Sequence, residues 1–209
     1  MTLTHTNDYQ RADGRAARLT FAEPDGATRG GLVVLHEADG VTDGVKLLLA
    51  SLASEGWLTV APHLEGEDLT SRDLLDATDT TVAWLTEHGV DADLMGVVGF
   101  DLGGTAALVV AAHRKLGAAV SVGGQGVGEL PVLVEIAGKL TSPWLGMYGD
   151  AGDELGGIEV EQLRDAAATA EVVTNVVRYP GANHRFDADP GAAAEAWQRT
   201  LAWFDAHLR

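Results

Sequence analysis

Leu94-Met95-Gly96-Val97-Val98-Gly99-Phe100-Asp101-Leu102-Gly103-Gly104-Thr105-Ala106-Ala107-Leu108 decides the fold. An apolar run of strand length gives way to a glycine-flanked turn and then to a helix-forming run. Glycines at 99, 103 and 104 leave room for a sharp bend. The bend would hold Asp101 at the strand's carboxyl end, above a helix N-terminus, which is the geometry of a nucleophile elbow. Where the G-x-S-x-G pattern asks for Ser or Cys, this chain offers Asp.

Outward from that stretch, strands and helices alternate. Upstream, Gly31-Leu32-Val33-Val34-Leu35 is apolar on both faces, as a central parallel strand is, and His36-Glu37-Ala38-Asp39-Gly40 falls at its carboxyl end. Helical spacing from Val45 to Glu55, a stop at Gly56 and the strand Trp57-Leu58-Thr59-Val60-Ala61 complete a βαβ unit. A helix over about 72–87 leads into the elbow strand. Downstream, the pattern predicts a helix over 105–115, strand 118–122, a short helix within 132–140, strand 144–148, helix 158–170, strand 172–179 and a closing helix over about 190–208. The fold class is therefore α/β, a doubly wound, mostly parallel sheet with helices on both faces. Residues 1–18 read as an N-terminal arm with a possible edge strand, and 19–209 as a single domain with no large cap. Trp84, Trp144, Trp197 and Trp203 lie in apolar-periodic segments and read as core.

Composition narrows the function classes. Fourteen Lys and Arg against 31 Asp and Glu give a net charge of −17, which repels nucleic acid and anionic membrane surfaces. Cysteine is absent, which removes disulfides, thiolate metal sites and a thiol nucleophile. No apolar run approaches the roughly 18 residues needed to span a bilayer, so a cytoplasmic protein is expected. His36 and Glu37 are adjacent but have no third ligand at metal spacing, and no metal or other cofactor is expected. The expected partner is a small-molecule substrate, and the chain is expected to act as a monomer or homodimer.

Ligands of such sheets bind at the carboxyl ends of the strands. Glu37, Asp101, the pair Asp150 and Asp153, and His184 each follow a different strand there. Elbow, acid and histidine occur in the chain order of an α/β-hydrolase triad. His63, after Pro62, is either a loop residue or one facing the site.

Four segments carry a resemblance. They are Val98-Gly99-Phe100-Asp101-Leu102-Gly103-Gly104; Val33-Val34-Leu35-His36-Glu37 with Gly40-Val41; Glu55-Gly56-Trp57-Leu58-Thr59-Val60-Ala61-Pro62-His63-Leu64; and Tyr179-Pro180-Gly181-Ala182-Asn183-His184-Arg185-Phe186. Together they resemble the dienelactone hydrolase family over residues 19–208. The resemblance implies an α/β-hydrolase fold and hydrolysis of lactones or esters through a Cys, Asp, His triad. It places Asp101 where the nucleophilic Cys would stand, His184 as the base and Glu37 as the glutamate beside the nucleophile. It also implies an oxyanion hole from the Leu102 and Ala38 N–H groups. His36 and Phe100, flanking these positions, join Glu37 as substrate-contacting residues. The usual G-x-x-D spacing falls on Gly152, so the acid is Asp153, with Asp150 as the alternative. The family's arginine for a substrate carboxylate, four residues past the histidine, is replaced by Ala188.

An aspartate at the elbow leaves three roles open. A carboxylate needs no base to become anionic, but its attack on a carbonyl makes a high-energy mixed anhydride, so a nucleophilic Asp101 suits C–halogen or epoxide opening. Alternatively, Asp101 near Glu37 serves proton transfer with His184, acting on water or an acidic C–H. In the third, the site is silent and binds a small molecule.

Overall fold

The structure, a computed structural model, describes residues 2–36, 40–64, 70–124, 130–150, 157–183, 186 and 188–209. The chain opens with β1 (Thr4–Gln10), β2 (Ala16–Ala22) and β3 (Gly31–Leu35). Helix α1 (Asp43–Ser54), β4 (Leu58–Pro62), α2 (Ser71–Glu87), β5 (Met95–Phe100) and α3 (Leu102–His113) follow. Then come β6 (Ala118–Val122), α4 (Leu130–Ala137), β7 (Trp144–Gly149), α5 (Gly157–Ala167), β8 (Thr174–Tyr179) and α6 (Pro190–His207).

The strands form one sheet in the order β1-β2-β4-β3-β5-β6-β7-β8. The β1–β2 and β2–β4 pairs are antiparallel and all later pairs are parallel. Period-2 alternation within each strand splits the core into two layers. Val33, Leu35 and Val97 face a layer shared with α2, α3, α4 and α5, whereas Leu32, Val34 and Val98 face one shared with α1 and α6. Both faces of the central strands are covered, which is why β3 and β5 are apolar at every position. This is an α/β-hydrolase fold, and among the described residues no large cap stands over the sheet.

Helix α3 and two of the tryptophans differ from expectation. Helix α3 starts at Leu102, three residues before the expected 105. The Asp101 carbonyl accepts from the Gly104 and Thr105 N–H groups at 2.8 and 3.3 Å, so the helical ladder takes in Gly103 and Gly104 despite their poor propensity. The arm holds a seven-residue strand, β1, in register with β2 from Thr4 opposite Ala22 to Gln10 opposite Ala16. Trp144 is fully buried, and its indole N–H donates to Ser121 Oγ at 3.0 Å, but Trp197 and Trp203 are only partly buried.

Candidate active site

The elbow is built from backbone that no side chain could enter. A Cβ on Gly99 would lie 1.7 Å from the Gly103 carbonyl oxygen, and one on Gly103 would lie 2.1 Å from the Leu35 oxygen. One on Gly104 would lie 2.5 Å from the Gly123 oxygen. Helix α3 can thus start directly over the ends of β3 and β5. The turn leaves Asp101 at φ 53°, ψ −121°, a strained conformation for a residue with a Cβ. Its N–H donates to the Val122 carbonyl at 2.9 Å, which pins the elbow to β6.

Asp101 is the N-cap residue of α3 and only 4% exposed. A carboxylate there meets the positive end of the helix dipole. Leu102, the first residue of the helix, has no carbonyl one turn earlier for its N–H. The residue is 41% exposed.

A cavity of about 300 Å³ opens in front of Asp101. Val34, Leu35 and His36 form one wall, Phe100 and Val122 another, and Thr42, Val45 and Leu48 at the start of α1 close it. None of its described lining residues is Lys or Arg. Thr42 caps α1 by accepting from the Val45 N–H at 3.4 Å, so a second helix N-terminus meets the cavity.

His36 lines this cavity while its ring is held elsewhere. Its Nε2 lies 2.9 Å from the Pro62 carbonyl oxygen. The Leu64 amide nitrogen lies 3.4 Å from the same Nε2, so the ring is set against the chain at the end of β4. The bond ties the loop after β3 to the end of β4. His63 pairs with Thr20 Oγ1 at 2.8 Å and borders a shallow depression with Asp8 and Arg18 that shares no lining residue with the cavity.

Asp150 latches the loop after β7 to the loop after β8. Its Oδ1 accepts from the Gly181 N–H and its Oδ2 from Arg178 Nε, each at 2.6 Å. The Gly181 N–H and then the Arg178 guanidinium hold its carboxyl below the usual carboxylate range. The sign follows from linkage. A depressed folded value makes the contribution to stability full above the ordinary carboxylate pKa of about 4, and it is lost as pH falls through the folded value. Asp150→Asn is therefore expected to lower the urea midpoint at pH 7, with the gap from the parent narrowing as the pH is taken below the carboxylate range. A gap that stays constant down to the acid transition would show that the carboxylate charge is not what holds the latch.

Glu37, Ala38, Asp153 and His184, to which sequence reasoning gives roles, lie outside the described residues. Asp101, Leu102, His36 and Phe100 lie within them, and all but Leu102 line the cavity. Sequence reasoning missed Trp197. Ala193, Ala196, Trp197 and Thr200 recur at i, i+3, i+4 and i+7 on α6 and present one face to a smaller space beside the cavity. Their spacing marks a face, but not whether that face meets a sheet or a void. Among the described residues, no group of three or more His, Asp or Glu is placed to hold a metal ion, and no helix is long and apolar enough to cross a membrane.

An α/β-hydrolase sheet, an elbow over a helix N-terminus and a cavity at the strands' carboxyl ends define a class. Within it, the chain belongs to the dienelactone hydrolase family, whose model matches residues 18–208. A Yersinia pestis protein that carries the name carboxymethylenebutenolidase in provisional form is 30% identical over 207 residues, covering 84% of this chain and 78% of its own. A Salmonella typhimurium protein of the same provisional name is 29% identical, covering 98% and 97%. A solved structure from Klebsiella pneumoniae, provisionally a dienelactone hydrolase, superposes with a TM-score of 0.87 at 30% identity and covers 98% of this chain and 99% of its own.

Proposed function

We propose that this chain hydrolyses small, uncharged esters or lactones, with Asp101 as a general base that activates water rather than as a covalent nucleophile. The observation that carries the reading is the buried Asp101, seated on the elbow at the N-terminus of α3 and lining the cavity. The resemblance puts the family's Cys at that position. A carboxylate cannot replace a thiolate in acyl transfer without forming an anhydride, but it can take a proton from water.

In this mechanism the substrate carbonyl oxygen accepts from the Leu102 N–H, and from that of Ala38 in the loop after β3. A water oxygen attacks the carbonyl carbon as its proton passes to the Asp101 carboxylate. The tetrahedral oxyanion is stabilised by those N–H groups and by the α3 dipole. Collapse breaks the bond to the alkoxide, and the proton reaches the departing oxygen through His184, which Asp153 orients. Ester and water become acid and alcohol, and the enzyme ends as it began. The relatives' name specifies a substrate bearing a carboxymethylene group. Here the described lining offers no cation to a substrate carboxylate, Ala188 replaces the family's arginine, and the chain carries a net charge of −17. Uncharged substrates avoid that repulsion.

Asp101→Asn should lower kcat/KM on an aryl acetate or an unsaturated lactone by about 10²- to 10⁴-fold, the usual contribution of a general base. Single turnover in ¹⁸O-water, followed by peptide mass analysis, should leave Asp101 unlabelled. Label in Asp101, with turnover of a haloacid or an epoxide, would replace this reading with nucleophilic opening at saturated carbon. Failure to turn over any of the four substrates would make the chain a binding protein instead.

A further inference from the structure

We infer that the active site has a second, apolar compartment that takes an unbranched hydrocarbon substituent of the substrate, and that Trp197 sets the length it accepts. The inference rests on the hydrolytic reading of the cavity it adjoins.

A space of about 110 Å³ adjoins the Asp101 cavity and shares Phe100 and Val122 with it as lining residues. The far side belongs to Phe186 and to Ala196, Trp197 and Thr200 of α6. Every group facing it is apolar in effect. The Thr200 hydroxyl donates to the Ala196 carbonyl at 2.8 Å, which satisfies its hydrogen and leaves the methyl as the available wall. Phe186 is 2% exposed and held edge-on to Tyr179, with ring centroids 5.0 Å apart. Its φ of 59° is rare for a residue with a bulky side chain. Apart from Asp101, it is the only non-glycine residue at positive φ among those described. The two strained positions border the two compartments.

The shape defines the ligand. A methylene is about the size of a water molecule, whose share of liquid volume is about 30 Å³, so the compartment holds about three or four such groups. It is too small for a ring to be lodged comfortably, given that an apolar cavity of about 150 Å³ accepts benzene. Trp197 also borders an open groove lined by Leu48, Ser51 and Ser54 of α1, so its indole is a wall common to the compartment and the groove. A propyl chain reaches it and a heptyl chain collides with it.

The test compares 4-nitrophenyl acetate, butyrate and octanoate on the parent, Ala196→Leu and Trp197→Ala. At the usual worth of a buried methylene, the parent should prefer butyrate to acetate by about tenfold in kcat/KM. Octanoate should then fall below butyrate. Ala196→Leu, which fills the compartment, should remove the butyrate preference. Trp197→Ala, which opens it to the groove, should raise octanoate relative to butyrate by about tenfold. If Ala196→Leu does not fold, the parent profile and Trp197→Ala decide. A parent indifferent between acetate and butyrate, or an unchanged octanoate-to-butyrate ratio in Trp197→Ala, overturns the inference. Binding gives a readout free of catalysis: n-butyramide, but not acetamide, should shift the Trp197 indole N–H resonance of the parent. If that shift occurs while no ester is turned over, the compartment stands and the hydrolytic reading falls. If n-butyramide leaves the resonance unmoved, the compartment is refuted whatever the esters do.

Discussion

Gly99→Ala is expected to yield no stably folded protein, while Gly26→Ala behaves as the parent. At Gly26 a methyl group meets nothing within 4 Å. At Gly99 it would lie 1.7 Å from the Gly103 oxygen and 2.8 Å from the Gly104 nitrogen. Both are backbone atoms of the first turn of α3, so no side-chain rotation relieves the overlap. Relief requires α3 to move off the end of β5, and Gly103 is itself closed against the Leu35 carbonyl. Moving the helix would expose its buried face, including Leu108 and Val110. Such a clash belongs with the exceptional substitutions that cost more than about 4 to 5 kcal/mol, against a total stability of about 5 to 15 for a typical domain. Circular dichroism and urea unfolding read the result. A cooperative transition within about 1 kcal/mol of the parent, well inside the ordinary range for point changes, would mean that the elbow is looser than this packing implies.

The same close packing explains what the sequence discloses and what it hides. Strands β3 and β5 are legible because both faces are covered, which demands unbroken apolar runs. Strand β1 is nearly invisible. Thr-His-Thr-Asn-Asp-Tyr-Gln is mostly exposed at a sheet edge, and its pairing comes from backbone bonds that leave no apolar signature. The start of α3 is masked for a related reason: Gly103 and Gly104 argue against helix by propensity but are required by their distance to neighbouring backbone. At the site, glycine spacing and Asp101 announce the elbow, while chain order and the family resemblance single out His184, Asp153 and Asp150. Chain order could not reveal that Asp150 is engaged by Gly181 and Arg178, because these partners lie 31 and 28 residues further along the chain. Nor does an apolar period on α6 distinguish Trp197 at a void from Phe204, which is fully buried.

Asp101→Cys is expected to acquire a reaction that the parent lacks, namely acylation of the protein by an activated ester. The elbow is shaped by Gly99, Gly103 and Gly104 and by the Asp101 N–H bond to Val122, none of which involves the side chain at 101. The substitution should therefore keep the turn. Aspartate tolerates positive φ better than most residues, so the variant should lose stability, by up to about the 1 to 3 kcal/mol that such strained positions hold. A thiol at that seat lies at the N-terminus of a 12-residue helix, which favours the thiolate. Sulfur attack on a carbonyl gives a thioester, an intermediate that water can release, whereas carboxylate attack gives an anhydride. With 4-nitrophenyl acetate, the variant should show a stoichiometric burst of nitrophenolate and a mass gain of one acetyl group on the peptide containing position 101. The parent, working through water, should show neither. A variant that folds, binds the ester and never becomes acylated would mean that the donors around Leu102 are not set for a carbonyl, and the site would then be one that holds its ligand without cleaving it. A burst in the parent itself, with acetyl on Asp101, would instead establish the anhydride route and overturn the general-base assignment.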